Sequence, residues 1–87
     1  MQRFEALLAY VSKKSSFSKA ELSGRDRRRE LVKYRRVVVY LAVTRLGLSA
    51  TAVGRMVNLS PPNAVRALAI GEEVMRELGW QVSFKKI

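Results

Sequence analysis

Apolar residues recur along this chain at the three-and-four spacing of α-helices, and short polar intervals break the pattern into elements. Phe4, Leu7, Leu8 and Val11 stand at i, i+3, i+4 and i+7. That spacing predicts an amphipathic helix over about residues 2–13, packed on the long helix that follows later. Lys13 and Lys14 suit its C-terminal dipole, and Ser15, Ser16 and Ser18 open a loop. Ser18 and Glu21 have the S-x-x-E spacing of a capping box, but Gly24 arrives too soon for more than a turn or two of helix. From Asp26 to about Leu46 the chain holds no Gly or Pro, and Leu31, Tyr34, Val38, Leu41 and Ala42 share one side of a long helix. The local rival is a strand at VVVYLAV, which its β-branched residues favour. Helix prevails because charged residues flank the run at helical spacing and the pair Leu46-Gly47 stops it. Val37, Val39 and Val43 lie off the main stripe, so this helix should be covered on more than one side and act as the central scaffold.

The segment LSATAVGRMVNLSPPNAVRALAIG, Leu48 to Gly71, has the pattern of two short helices joined by a tight polar turn. Ser49 is an N-cap candidate ahead of Ala52, Val53, Met56 and Val57. Asn58 and Leu59 interrupt the periodicity. Ser60 offers a second N-cap, and Pro61 fits the first helical position, where a missing N–H costs nothing. The helix from Ser60 to Gly71 is expected to turn Val65, Leu68, Ala69 and Glu72 to one side. Asn63, Arg66, Ala67 and Ile70 then look outward or sideways. Gly54, mid-helix, costs about 1 kcal/mol against alanine, which points to two backbones crossing too closely for a larger side chain. This is the pattern of a helix-turn-helix, and the expected fold is a small all-α bundle with the long helix before that motif. Beyond Gly71 come Glu72, Glu73 and Glu77, so the far end of this helix should turn away from a polyanion. Gly79 is a plausible helix stop. Trp80, Val82 and Phe84 alternate with polar residues as in a short strand or an extended tail over the core, Trp80 filling a gap there.

Composition narrows the function. Eighty-seven residues make one domain, and a 48% apolar content is ordinary for a folded one. Without cysteine there is no disulfide framework or thiolate metal site, which fits a reducing cytoplasm. Without histidine the commonest general base and metal ligand are both missing. Tyr10, Tyr34 and Tyr40 sit at or beside core stripes with nothing to activate them, so neither catalysis, a cofactor nor a small-molecule substrate is expected. The longest apolar run, Val37 to Val43, is too short to cross a bilayer, and no membrane partner is expected.

Charge changes the picture most. Seventeen Lys and Arg against seven Asp and Glu give +10, an excess that favours a polyanionic partner. Between Ser23 and Arg66 ten basic residues face two acidic ones, so the excess surrounds the helix-turn-helix. The densest part is RDRRRELVKYRR, at the start of the long helix. Arginines there oppose the helix dipole, a mismatch that an external phosphate backbone would relieve.

Arg35, Leu41, Ser49, Val53, Gly54 and Arg55, in the spacing R-x(5)-L-x(7)-S-x(3)-V-G-R and followed by Val65, resemble the C-terminal DNA-binding domain of the bacterial replication initiator DnaA. The likeness covers roughly residues 25–72, with 1–22 as an N-terminal helix and loop and 73–87 as a C-terminal tail. It implies a helix-turn-helix behind a long helix, with Arg35 matching an arginine that enters the minor groove. Where that family opens its recognition helix with Asp-His-Thr-Thr-Val, this chain has Pro61-Pro62-Asn63-Ala64-Val65, so the side chains that read origin boxes are replaced. SGRDRRRELVKYR and the Leu48–Glu72 segment more closely resemble the initiator-like C-terminal region of REP-associated tyrosine transposases. Those enzymes cut single-stranded DNA in a separate domain with paired histidines and a tyrosine. A sequence without histidine corresponds at most to their DNA-binding appendage.

The expectation is therefore sequence-specific binding of double-stranded DNA, on the nucleoid of a cytoplasm. Asn63 and Arg66 are expected near base edges, with Ser60 and Pro62 at the start of the recognition helix. Arg25, Arg27, Arg28, Lys33, Arg35, Arg36 and Arg55 are expected on phosphates. The alternatives are a transcriptional regulator, an RNA-binding domain, or a protein-interaction or dimerisation module using Ile70, Val74 and Leu78 as an exposed apolar row.

Overall fold

The computed structural model describes residues 2–26 and 28–79. They form five helices: α1 (Gln2–Ser15), α2 (Lys19–Leu22), α3 (Arg29–Leu46), α4 (Ala50–Met56) and α5 (Pro61–Leu78). No strand occurs among the described residues, and VVVYLAV is the middle of α3. The expected all-α bundle with a long central helix is what the chain adopts. The expected tail of Trp80, Val82 and Phe84 lies outside the described residues, as does Arg27.

α3 is the hub, touching each of the other four helices. Leu31, Val37, Val38, Val39, Leu41 and Ala42 are all buried, so its apolar surface wraps well beyond one stripe. Phe4, Leu7, Leu8 and Val11 of α1 close one side of it, and Val53 of α4, Val57 just after it, and Ala64, Ala67 and Val74 of α5 close another. Gly47, at φ 70°, ends α3 in the left-handed conformation that glycine tolerates best. The capping box of α2 is complete: Glu21 N–H donates to Ser18 Oγ and Ser18 N–H donates to Glu21 Oε1, each at 3.0 Å. As the nearby glycine foretold, α2 is a single turn.

α3 begins at Arg29 rather than at Asp26. Asp26 Oδ1 accepts from the Arg28 N–H at 2.9 Å, a side-chain bond to a backbone donor just ahead of the first helical residue. Arg28 then bridges Asp26 and Glu21 at 2.8 and 2.7 Å, and its guanidinium lies 5.3 Å from the Phe17 ring centroid.

α5 extends past the Ser60–Gly71 segment to Leu78 and stops at Gly79, the glycine expected to end it. Its rotation differs from the expected one. Ala64, Ala67, Gly71 and Val74 are the buried side, whereas Val65 is 56% exposed and Ala69 and Glu72 face solvent. The stripe drawn through the larger apolar residues was the wrong one, since α5 presses its smallest residues against its neighbours. A Cβ built on Gly54 would meet the Ala64 Cβ at 2.6 Å, and one on Gly71 would meet the Tyr40 Cβ at 2.5 Å and the Arg36 carbonyl oxygen at 2.9 Å. The close crossing expected from Gly54 is thus present, and a second one at Gly71 accompanies it.

Candidate nucleic-acid interface

The turn between α4 and α5 is built from Val57, Asn58, Leu59 and Ser60. The Leu59 N–H donates to the Gly54 carbonyl at 2.8 Å, and Val57 and Leu59 insert into the core. Asn58 takes φ 58°, a left-handed conformation that asparagine adopts more readily than most residues. Its side-chain amide donates to the carbonyls of Ser23 and Gly24 at 2.8 and 2.7 Å, which ties the turn to the α2–α3 loop. Ser49 caps α4 through a 3.4 Å bond from the Ala52 N–H. Ser60 has N-cap backbone angles but its hydroxyl makes no cap bond.

The expected phosphate-binding cations separate into distinct groups. Arg35 is a correction: it is 2% exposed, and its guanidinium donates to the backbone carbonyls of Leu22 (2.9 Å), Glu21 (2.8 Å) and Asp26. It sits on the inward stripe between Leu31 and Val38, where it satisfies the carbonyl end of α2 that the one-turn helix leaves open. A side chain so occupied is not available to a minor groove. Arg28 keeps some exposure, but its charge is matched by Glu21 and Asp26. Both carboxyls are held below their usual range. For Glu21 the Ser18 N–H contributes most and the Arg28 guanidinium next, and for Asp26 the leading cause is the Arg28 N–H.

The other described cations of this set are at least partly open to solvent. Arg25 and Arg55 are exposed, in the α2–α3 loop and on α4. On α3, Lys33 and Arg36 are half-buried and share a face with exposed Arg29, the three standing at i, i+4 and i+7. Arg29 was missed at the sequence level, although that same spacing identifies it. The row flanks α5: Arg36 and Tyr40 border Gly71, and Val32, one residue from Lys33, meets Asn63 across a cleft. Arg36 Nε is buried with no hydrogen-bond partner among the described residues. The cleft holds about 230 Å³ and is lined by Val32, Arg35, Asn58, Leu59, Ser60 and Asn63.

On α5, Pro62, Asn63 and Arg66 are exposed, as expected, but they do not share one face. At 100° per residue Pro62, Val65, Arg66 and Ala69 surround the outermost line of the helix, and Asn63 lies to the side, toward α3. Beyond them exposed Glu72, Glu73 and Glu77 confine the basic character to the first half of α5. The apolar row of the interaction-module alternative is not a free surface, because Val74 is 7% exposed and Ile70 and Leu78 are half-buried. Among the described residues no group of acidic, Cys or His side chains could hold a metal ion, and no helix is long and apolar enough to cross a membrane. Set against protein-family models, curated proteins and solved structures, the chain matches none of them.

Proposed function

We propose that this chain binds duplex DNA as a helix-turn-helix domain, with the first half of α5 in the major groove and α3 laid along the phosphates. The observation that carries this reading is the combination of a closely seated α5 start with a cation row beside it that makes no ion pair among the described residues. Gly54 and Ala64 lock α5 against α4, while Arg29, Lys33 and Arg36 line the neighbouring flank of α3. Arg25 and Arg55 extend that cationic surface. Arg66 is the base-edge candidate, since it stands on the outer line of α5 and a guanidinium can bond guanine in bidentate fashion. Asn63, beside the cleft, is placed for a base edge or the sugar-phosphate of the strand nearer α3. The resemblance to initiator-like and transposase-associated helix-turn-helix regions extends the proposal to a DNA-binding appendage of a transposase-related protein, without a role for Arg35 in the minor groove.

Titration of fluorescent duplexes by anisotropy across a salt series tests the reading. Arg29→Ala and Lys33→Ala should weaken all sequences alike and each reduce the salt slope by about one. Arg66→Ala should alter preference among sequences, costing about 1–3 kcal/mol at its contacted base pair. A chain that binds no duplex at low salt, or whose affinity ignores salt, refutes the proposal.

A further inference from the structure

We infer that the recognition surface of α5 reads thymine through its 5-methyl group, with Val65 as the specificity-determining contact. The inference rests on the duplex-DNA reading above and names what α5 would recognise there. Val65 is 56% exposed, the most exposed of the large apolar residues among those described, on a helix whose other valine, Val74, is buried. Pro62 and Ala69 stand three residues before it and four after it, both exposed, so the three form an apolar strip along the outer line. Arg66 borders the strip, and the α3 cations flank the helix. Among the described residues nothing covers this strip, and the surrounding charge favours a polyanion over an apolar protein surface.

The start of α5 is also poorly equipped to grip a phosphate. A helix start normally leaves four backbone N–H groups unused, and here Pro61 and Pro62 remove two of them. Only the N–H groups of Ser60 and Asn63 are left of the four, since the Ala64 N–H makes the first helical bond, to the Ser60 carbonyl at 2.8 Å. What α5 offers outward is a short apolar ridge with one guanidinium. In the major groove the apolar feature of base pairs is the thymine methyl, which valine and proline side chains can cover. The chemical class recognised is therefore a duplex with thymine, or another 5-methylated pyrimidine, opposite Val65.

The test begins with duplexes enriched by the 87-residue chain from a library with a randomised core. Each thymidine of an enriched duplex is replaced in turn by deoxyuridine, which deletes the methyl and leaves pairing intact. At one or more positions affinity should fall by about fourfold, the equivalent of about 0.8 kcal/mol for one buried methyl-sized group. That discrimination should vanish in Val65→Ala and persist in Val65→Ile. Alanine is the better helix former and the site is exposed, so the variant should fold, as its circular dichroism spectrum would confirm. Failure to bind or enrich any duplex would bring down the DNA reading and this inference together. Enrichment without sensitivity to deoxyuridine would overturn the inference alone, as would a sensitivity that Val65→Ala leaves unchanged.

Discussion

The seat of α5 on α4 should behave as a lock with one methyl too few to spare. In Gly54→Ala the new Cβ would stand 2.6 Å from the Ala64 Cβ and 3.3 Å from the Leu59 carbonyl oxygen. Carbon atoms in contact prefer about 3.5–4.0 Å, so the two helices must part by about 1 Å or tilt. Overpacking of this kind costs about 1–3 kcal/mol, and an overlap between helix-borne Cβ atoms belongs at the upper end because neither can rotate away. Alanine's better helix propensity returns roughly 1 kcal/mol, which leaves Gly54→Ala destabilised by about 2 kcal/mol.

Exchanging the methyl between the helices distinguishes this from an ordinary glycine effect. With Ala64→Gly added, the new Cβ faces the residue-64 Cα at 3.8 Å, an ordinary contact, while the two propensity changes cancel. The Leu59 oxygen is unaffected and keeps the recovery incomplete. The double variant should therefore lie within about 1 kcal/mol of the parent, although the single changes acting independently would leave it about 3 kcal/mol below. Thermal and urea unfolding followed by far-ultraviolet circular dichroism would read this directly. For a domain of this size each 1 kcal/mol moves the midpoint by about 4–8 °C. Additive single and double variants, or a Gly54→Ala chain as stable as the parent, would refute the close-crossing argument.

Two further predictions concern the α2–α3 junction. Arg35→Lys should destabilise the domain by about 2–4 kcal/mol in urea unfolding, because one ammonium cannot serve the three carbonyls that the planar guanidinium serves; an unaltered midpoint would contradict the buried role. Glu21 and Asp26 have folded pKa values below their unfolded ones, so their contribution is fully present above the unfolded carboxylate range, near pH 4, and is lost as pH falls through the folded values. Stability measured against pH should thus fall on acidification through that window, and more gently in Glu21→Gln.

The helices were legible because periodicity survives wherever large apolar side chains mark one face. Phe4, Leu7, Leu8 and Val11 do so in α1, and the long run of α3 does so on several sides. Stops at Gly47 and Gly79 and the close approach at Gly54 were legible too, since glycine inside or just after a helix has few other uses. The rotation of α5 was not. Burial there follows Ala64, Ala67 and Gly71, residues whose hydrophobicity is slight and whose value lies in being small, so a search for bulk selects the neighbouring face. The role of Arg35 was hidden for a related reason: charge counts as solvent-seeking unless something inside needs donors, and the open carbonyls of a one-turn helix exist only in three dimensions. Its place on the stripe of Leu31, Val38 and Ala42 was the available clue.

That separation of cations bears on how the net charge should be understood. The run RDRRRELVKYRR looks uniform, yet Arg35 and Arg28 serve the protein itself, one capping α2 from the core and the other pairing with Glu21 and Asp26. By anchoring the α2–α3 loop they leave Arg29, Lys33 and Arg36 together on the flank of α3 that borders α5. The loop's carbonyls in turn accept from Asn58, which sets the turn from which α5 departs. The internal arginines therefore position α5 while the external ones supply the positive field around it. With Arg25, Arg29, Lys33, Arg36 and Arg55 each on one phosphate, and about 0.9 counted per phosphate, a single copy would show a salt slope of magnitude about 4–5. The overall charge of +10 would suggest about twice that. A slope near the smaller value would mark binding confined to that surface, with Arg28 and Arg35 engaged inside the protein and the other cations standing away from it.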